Sequence, residues 1–185
     1  MKKSVLIAIQ PYWVFLIIAK TMGWDVKEEK TVEVRKNFPK DENWDKTVKI
    51  YCSKDAKSFN RIPKEYQPAM KQFLGKVIGE FMCYEITEYP YETFNDGEHL
   101  MPYGELEKTC LDGWKLYEYL GTKNGFGWHI VDLVIYDKPK ELKELCLYDV
   151  RAYYDEELKL PMPTHEIKRP PQSWCYVKGW FYAEK

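Results

Sequence analysis

The sequence predicts an α+β fold in which short strands close toward a barrel, with helices inserted between them. Several strand-length runs are either continuously apolar or alternate in polarity. Helical patterns fall among them without the regular strand–helix alternation of a doubly wound sheet. Gly75 and Gly79 sit in the longest strand pattern, where a bend or bulge would turn a barrel corner.

Taken in order, Ser4 to Ile9 is an apolar run of strand length closed by Gln10-Pro11. Proline suits the first turn of a helix, and Tyr12 to about Thr21 is apolar nearly all round, so this helix should lie against a sheet. Met22 to Glu29 is a polar loop. Lys30 to Lys36 alternates and reads as a strand, with Val32 and Val34 on the core face and Thr31, Glu33 and Arg35 on the other. Asn37 to Lys46 is loop-like, and Val48 to Ser53 is a further strand.

Lys54 to Leu74 is basic and proline-containing, which suggests loop with a helical turn. Gly75 to Tyr89 reads as one long strand. Leu106, Cys110, Trp114, Tyr117 and Leu120 recur at helical spacing, so Glu105 to Leu120 is expected to be one amphipathic helix stopped by Gly121. Phe126 to Tyr136 is the next strand, and Leu142, Leu145 and Cys146 behind Pro139 suggest a short helix. Tyr148 to Lys168 has no clear period. Gln172 to Val177 closes the fold as a strand.

With 185 residues the chain is expected to be a single domain over 1–185. Its formal net charge of -1 provides no global drive toward polyanions, so a nucleic-acid surface would have to be a local basic patch. Aromatics are plentiful, with 15 Tyr, 8 Phe and 7 Trp, enough to fill a core and line a groove. Cys52, Cys83, Cys110, Cys146 and Cys175 are scattered, without CxxC spacing. Neither a disulfide framework nor a metal site is supported, and no cofactor is implied. Lys2 and Lys3 precede an apolar run that is interrupted at Gln10-Pro11 and too short to span a bilayer. The expectation is a soluble, cytoplasmic protein without a membrane partner.

Five blocks together resemble the ASCH domain of the PUA-like superfamily, in the version found in small bacterial and prophage proteins. They are Ile9-Gln10-Pro11-Tyr12-Trp13, Lys30-Thr31-Val32-Glu33-Val34-Arg35, Gly75-Lys76-Val77-Ile78-Gly79-Glu80-Phe81, Trp128-His129-Ile130, and Arg169-Pro170-Pro171-Gln172-Ser173-Trp174. The stretches around 54–74, 90–104 and 148–168 read as insertions. Glu28 stands where the family usually has glycine, before the Lys-x-x-Glu-x-Arg motif. The resemblance implies a β-barrel with helices on the outside and a cleft beside the first helix, where RNA or a nucleotide-like ligand is proposed to bind.

Carried over by position, the resemblance nominates Lys30, Glu33 and Arg35 as ligand-binding. Gln10, which closes the first strand, joins them. Arg35 suits a bidentate phosphate clamp, and its competing role is a structural pair with Glu33 or Glu80. Trp13, Trp128 and Trp174 are candidates for stacking a base, against the alternative of ordinary core or rim residues. Gln172 offers donors and acceptors for a ligand edge. His129, with apolar neighbours, reads as a satisfied, partly buried histidine.

Three functions compete. The first is a binding module for RNA or nucleotides. The second is an enzyme acting on RNA or a modified nucleoside, with Lys30 and Glu33 as the candidate catalytic residues. One ASCH branch hydrolyses acetylated cytidine using a Lys-x-x-Thr pattern, and Glu33 stands where that threonine would be, which argues against the same mechanism here. The third is a protein-interaction factor of phage type, suggested by the 148–168 insertion.

Overall fold

A computed structural model of the protein describes residues 4–40, 46–91, 104–147, 154–155, 160–161 and 166–180. In chain order the elements are β1 (Ser4–Ile9), α1 (Pro11–Ile18), β2 (Val32–Arg35), β3 (Lys46–Cys52), α2 (Ala56–Phe59) and α3 (Gln67–Lys71). Next come β4 (Val77–Cys83), β5 (Ile86–Tyr89), α4 (Glu105–Thr109), α5 (Gly113–Leu120), β6 (Gly125–His129) and β7 (Val131–Lys140). A 3-10 turn (Leu142–Glu144), β8 (Leu145–Leu147), β9 (Tyr154–Asp155), β10 (Leu160–Pro161) and β11 (Trp174–Trp180) complete them. Much of the expected insertions at 90–104 and 148–168 lies outside the described residues. Among the described residues, no helix is long and apolar enough to cross a membrane.

The chain groups into two compact units, residues 1–14, 46–80 and 134–185 in one, and 15–45 and 81–133 in the other. The first is built on a six-stranded sheet in the order β7-β4-β3-β1-β11-β8. β1 lies inside it, parallel to β3 from Val5↔Val48 to Ile9↔Cys52 and antiparallel to β11 from Ser4↔Val177 to Ile7↔Trp174. A strand covered on both faces reads as a continuous apolar run, which is why Val5, Leu6, Ile7 and Ile9 are all buried. Leu6, Tyr51, Val77, Leu142, Leu145, Ile167 and Val177 form one core cluster.

The second unit holds a three-stranded antiparallel sheet, β2-β6-β5. Val34, Tyr89, Leu116 and Leu120 form its core cluster, with Leu106, Leu111 and Tyr117 packed against it.

Several elements differ from the sequence expectation. Among the described residues the strands form open sheets of six, three and two strands, not a closed barrel. The Glu105–Leu120 helix is two helices. Cys110 adopts a left-handed conformation (φ 55), and the Asp112 side chain then accepts from Lys115 N at 2.7 Å to start α5. Leu106, Tyr117 and Leu120 of the expected stripe still reach the core, whereas Trp114 is 68% exposed and Leu116 takes a core place instead. The single strand expected at 75–89 is β4 and β5, and the one at 126–136 is β6 and β7. The helix expected at 142–146 is the 3-10 turn followed by β8, and 54–74 carries α2 and α3.

Gly79 is required by crowding, not by a turn. A Cβ there would overlap the Val134 carbonyl oxygen and reach 3.1 Å from Ile135 Cα. Backbone of a paired strand cannot retreat without opening the β4–β7 pair. Gly79→Ala is therefore expected to lower the free energy of urea unfolding by about 1–3 kcal/mol. An unchanged midpoint would mean that β7 yields more easily than a paired strand should.

Cys52, Cys83, Cys110 and Cys175 are free. Burial pushes Cys52 up to about 12, and Cys83 and Cys175 up to about 11, so these sulfurs stay thiols at neutral pH.

Candidate functional site

The Lys30–Arg35 stretch in the second unit is fixed by backbone pairing on both sides. Lys30 N donates to Leu16 O at 3.3 Å, Thr31 N to Lys108 O at 3.0 Å, and Ile130 N to Thr31 O at 2.9 Å. β2 then pairs with β6 from Val32↔His129 to Arg35↔Phe126. Alternation was expected to leave Glu33 and Arg35 on an open face. Instead all four residues of β2 are buried.

The three motif residues meet. Glu33 Oε1 lies 2.9 Å from Arg35 Nη2, and Glu33 Oε2 lies 3.4 Å from Lys30 Nζ. Lys30 Nζ also donates to the Thr109 carbonyl at the end of α4, at 2.7 Å. Lys30 is 3% exposed, Glu33 5% and Arg35 8%, so the charges interact in a poorly solvated setting. Of the two structural partners considered for Arg35, Glu33 is the one it has. Glu80, in the first unit, instead binds Lys49 and the Tyr136 hydroxyl, each at 2.6 Å.

Two cations flank one carboxylate. Burial pulls the Lys30 amine below the usual lysine range, and the Glu33 carboxylate beside it only partly restores it. Arg35 also hydrogen-bonds Tyr119 of α5. Tyr119 is 41% exposed, and Lys36 Nζ sits 5.1 Å from its ring centroid. Tyr119 is thus the solvent-facing end of the row.

Trp128 pairs with Glu33 across the strands and shares its face. It is fully buried and offers no open ring to a base, so its expected stacking role gives way to a packing one. The other nominated residues belong to the first unit. Gln10 is exposed and its amide donates to Asp55 at 3.1 Å. Trp13 is half-buried, with the Arg61 guanidinium 4.9 Å from its ring centroid. Trp174 is half-buried and edge-on to Tyr176 at 5.4 Å, and Gln172 is exposed.

A second polar cluster occupies the opposite face of β2-β6-β5. His129 Nε2 lies 2.7 Å from Thr87 Oγ1 and 3.2 Å from Glu105 Oε1. Glu105 also accepts from Tyr89 OH at 3.1 Å and from Lys108 at 3.0 Å. His129 is partnered and partly buried, through Thr87 and Glu105 and not through the strand neighbours that suggested it. The break at Ile130 separates it from Val131 and Leu133, which sit in β7. Both the hydroxyl and the carboxylate face the same nitrogen. A proton on Nε2 suits that geometry, and a lone pair there would meet the carboxylate. The cluster is a clasp between α4 and the sheet more than a nucleophile–base pair.

Thr87, Tyr89, Glu105 and Tyr119 escaped the sequence reading. Glu105 had one visible signal, an acid opening an amphipathic helix. The others meet their partners only through cross-strand register or helix packing.

Burial raises the Glu105 carboxyl, but hydrogen bonds from Lys108 and Tyr89 and the nearby His129 outweigh it, leaving it below the usual glutamate value. A carboxyl depressed in the folded state contributes stability above its unfolded value of about 4.3, and this is lost as pH falls through the folded value. Glu105→Gln is expected to flatten the acid limb of stability, read by urea unfolding from about pH 5 downward. An acid limb as steep as the parent's would assign that loss to other carboxylates.

Among the described residues, no group of three or more His, Cys, Asp or Glu could hold a metal ion. No family model and no curated protein matches the sequence. Solved structures do match. A serine-to-alanine variant of the ASCH protein from Zymomonas mobilis aligns with a TM-score of 0.52 at 18% identity, covering 95% of this chain and 88% of that one. Another crystal structure of ASCH from the same organism aligns with a TM-score of 0.46 at 16% identity, over 95% and 87%. The backbone likeness rests on the first of these. The chain has the fold of an ASCH domain.

Proposed function

We propose that the protein is a binding module for RNA or nucleotides, with its ligand read at the β2 strand by Lys30, Glu33 and Arg35. The observation that carries this is the poorly solvated row of two cations on one carboxylate, ending in the half-open Tyr119. Arg35 is already oriented by Glu33, which leaves its planar fork ordered before an anion arrives. A ligand phosphate entering past Tyr119 would replace the phenol on Arg35. Lys36, over the same ring, is a second cation at that entrance.

The test is retention of a mixed pool of short RNAs, nucleotides and nucleosides, read by mass spectrometry. The parent should hold an intact ligand with an affinity that falls as salt rises. Arg35→Ala should abolish retention, and Arg35→Lys should weaken it while keeping the charge. Circular dichroism checks that each variant is folded. Undiminished retention by folded Arg35→Ala would move the site elsewhere.

A second reading, an enzyme acting on RNA or a modified nucleoside, draws support from one observation. The lowered Lys30 amine is closer to the free-base form than an ordinary lysine, and it lies 3.4 Å from Glu33. Altered products that require both Lys30 and Glu33 would favour it. Intact ligand after prolonged incubation would leave the binding module.

A further inference from the structure

The segment 54–76 carries a charge that the whole chain conceals. It has six basic residues (Lys54, Lys57, Arg61, Lys64, Lys71, Lys76) against Asp55 and Glu65. With 28 basic and 29 acidic residues in all, the remaining chain has 22 basic and 27 acidic. The segment is therefore +4 and the remainder -5. It also lies largely outside the blocks that resemble the ASCH domain.

The segment is held firmly. Asp55 caps α2 by accepting from Ser58 N at 3.0 Å, and the buried Ser58 hydroxyl accepts from Tyr12 N at 3.0 Å. Ile62, Met70 and Phe73 are buried beneath it, and Gln67 donates to Ile62 O at 2.8 Å. The apolar side thus anchors the segment, and its basic side faces water. Lys57, Arg61, Lys64 and Lys71 are all exposed. Among the described residues none of these four forms an ion pair. Asp55 is occupied as a cap and bonded to Gln10, and among the described residues Glu65 forms none of the ion pairs.

Aromatic rings adjoin this basic face. The Arg61 guanidinium lies 3.9 Å from the Tyr12 ring centroid and 4.9 Å from that of Trp13, and the two rings meet edge to face at 5.1 Å. Both rings are half-buried. A guanidinium plane laid on aromatics, flanked by unpaired lysines, is the combination that stacks a base while lysines follow the phosphates. A protein partner would need only the charge.

We propose that the 54–76 face, with Tyr12 and Trp13, is a contact surface for single-stranded RNA. Lys57, Lys64 and Lys71 take its phosphates, and the Arg61–Tyr12–Trp13 cluster stacks a base. This deepens the preceding reading, and rests on it, by making the ligand a strand of several phosphates instead of a single nucleotide.

The experiment compares a labelled short oligouridylate, uridine monophosphate and a poly-glutamate of matching charge. Binding is measured across a salt series to the parent, to Lys57→Ala/Lys64→Ala/Lys71→Ala, and to Arg61→Gln. The parent should bind the oligouridylate with a steep salt dependence. The triple variant should lose about two units of the log–log slope, at ~0.7 per phosphate contact. Arg61→Gln should weaken oligouridylate binding about tenfold while leaving poly-glutamate unchanged. Uridine monophosphate, held through Arg35, should bind the triple variant as it binds the parent.

Oligouridylate binding with parent slope and affinity in the triple variant would overturn this surface and leave the preceding reading intact. Poly-glutamate binding as tight as RNA would overturn it too, by showing that only charge is read. Failure of the parent to bind either nucleotide form would defeat both proposals.

Discussion

Glu33→Ala should lower the unfolding free energy by about 3–5 kcal/mol, the usual penalty when one member of a buried ion group is removed. Lys30 and Arg35 would remain beneath the surface with no carboxylate between them. Lys30 would keep its bond to the Thr109 carbonyl, and Arg35 its bond to Tyr119, but two like charges would face each other across the vacated space. Urea unfolding measures the loss directly. Replacing all three together by apolar residues of similar size should restore much of it, because the desolvation penalty disappears with the charges. A loss below about 1 kcal/mol in Glu33→Ala would mean that the row behaves as a solvated surface pair.

Trp128→Ala should cost a similar amount, about 3–5 kcal/mol, by emptying the largest fully buried side chain among the described residues of the second unit. The indole sits on β6 between Glu33 of β2 and Ile86 of β5, so its loss opens space under the central strand of that sheet. Trp128→Phe should recover most of the stability. Ligand affinity, measured on the folded fraction, should hardly change in the phenylalanine variant, since the ring contributes packing and not stacking. A selective loss of affinity at unchanged stability would return Trp128 to the binding site.

What the residues disclose in one dimension follows how local the governing physics is. Ser4–Ile9 is legible because a strand covered on both faces needs apolar residues throughout. Glu33 and Arg35 were legible together because two-residue spacing fixes their side of a strand, whereas Lys30, of the opposite parity, joined them only through the family resemblance. Their burial was not legible, since spacing says which residues share a face and not what covers it. The Cys110 break was invisible because Leu106, Leu116 and Leu120 reach the same core from either side of it. Trp128 misled in the other direction, since an aromatic beside a charged strand fits a groove or a core equally well. Tyr119 meets Arg35 across more than eighty positions, a juxtaposition created by packing alone.

The placement of β1 also constrains how the molecule is made. Ser4 ends opposite Val177, so one edge of β1 stays unsatisfied until nearly the whole of this chain is available. Its neighbour β3 comes early, and β11 comes late. Pairings so distant in sequence form slowly, and an apolar strand with an open edge is prone to pair with another molecule meanwhile. Loss of residues from Trp174 onward would make that interval permanent. A chain shortened there is expected to accumulate as aggregate instead of as a smaller folded protein.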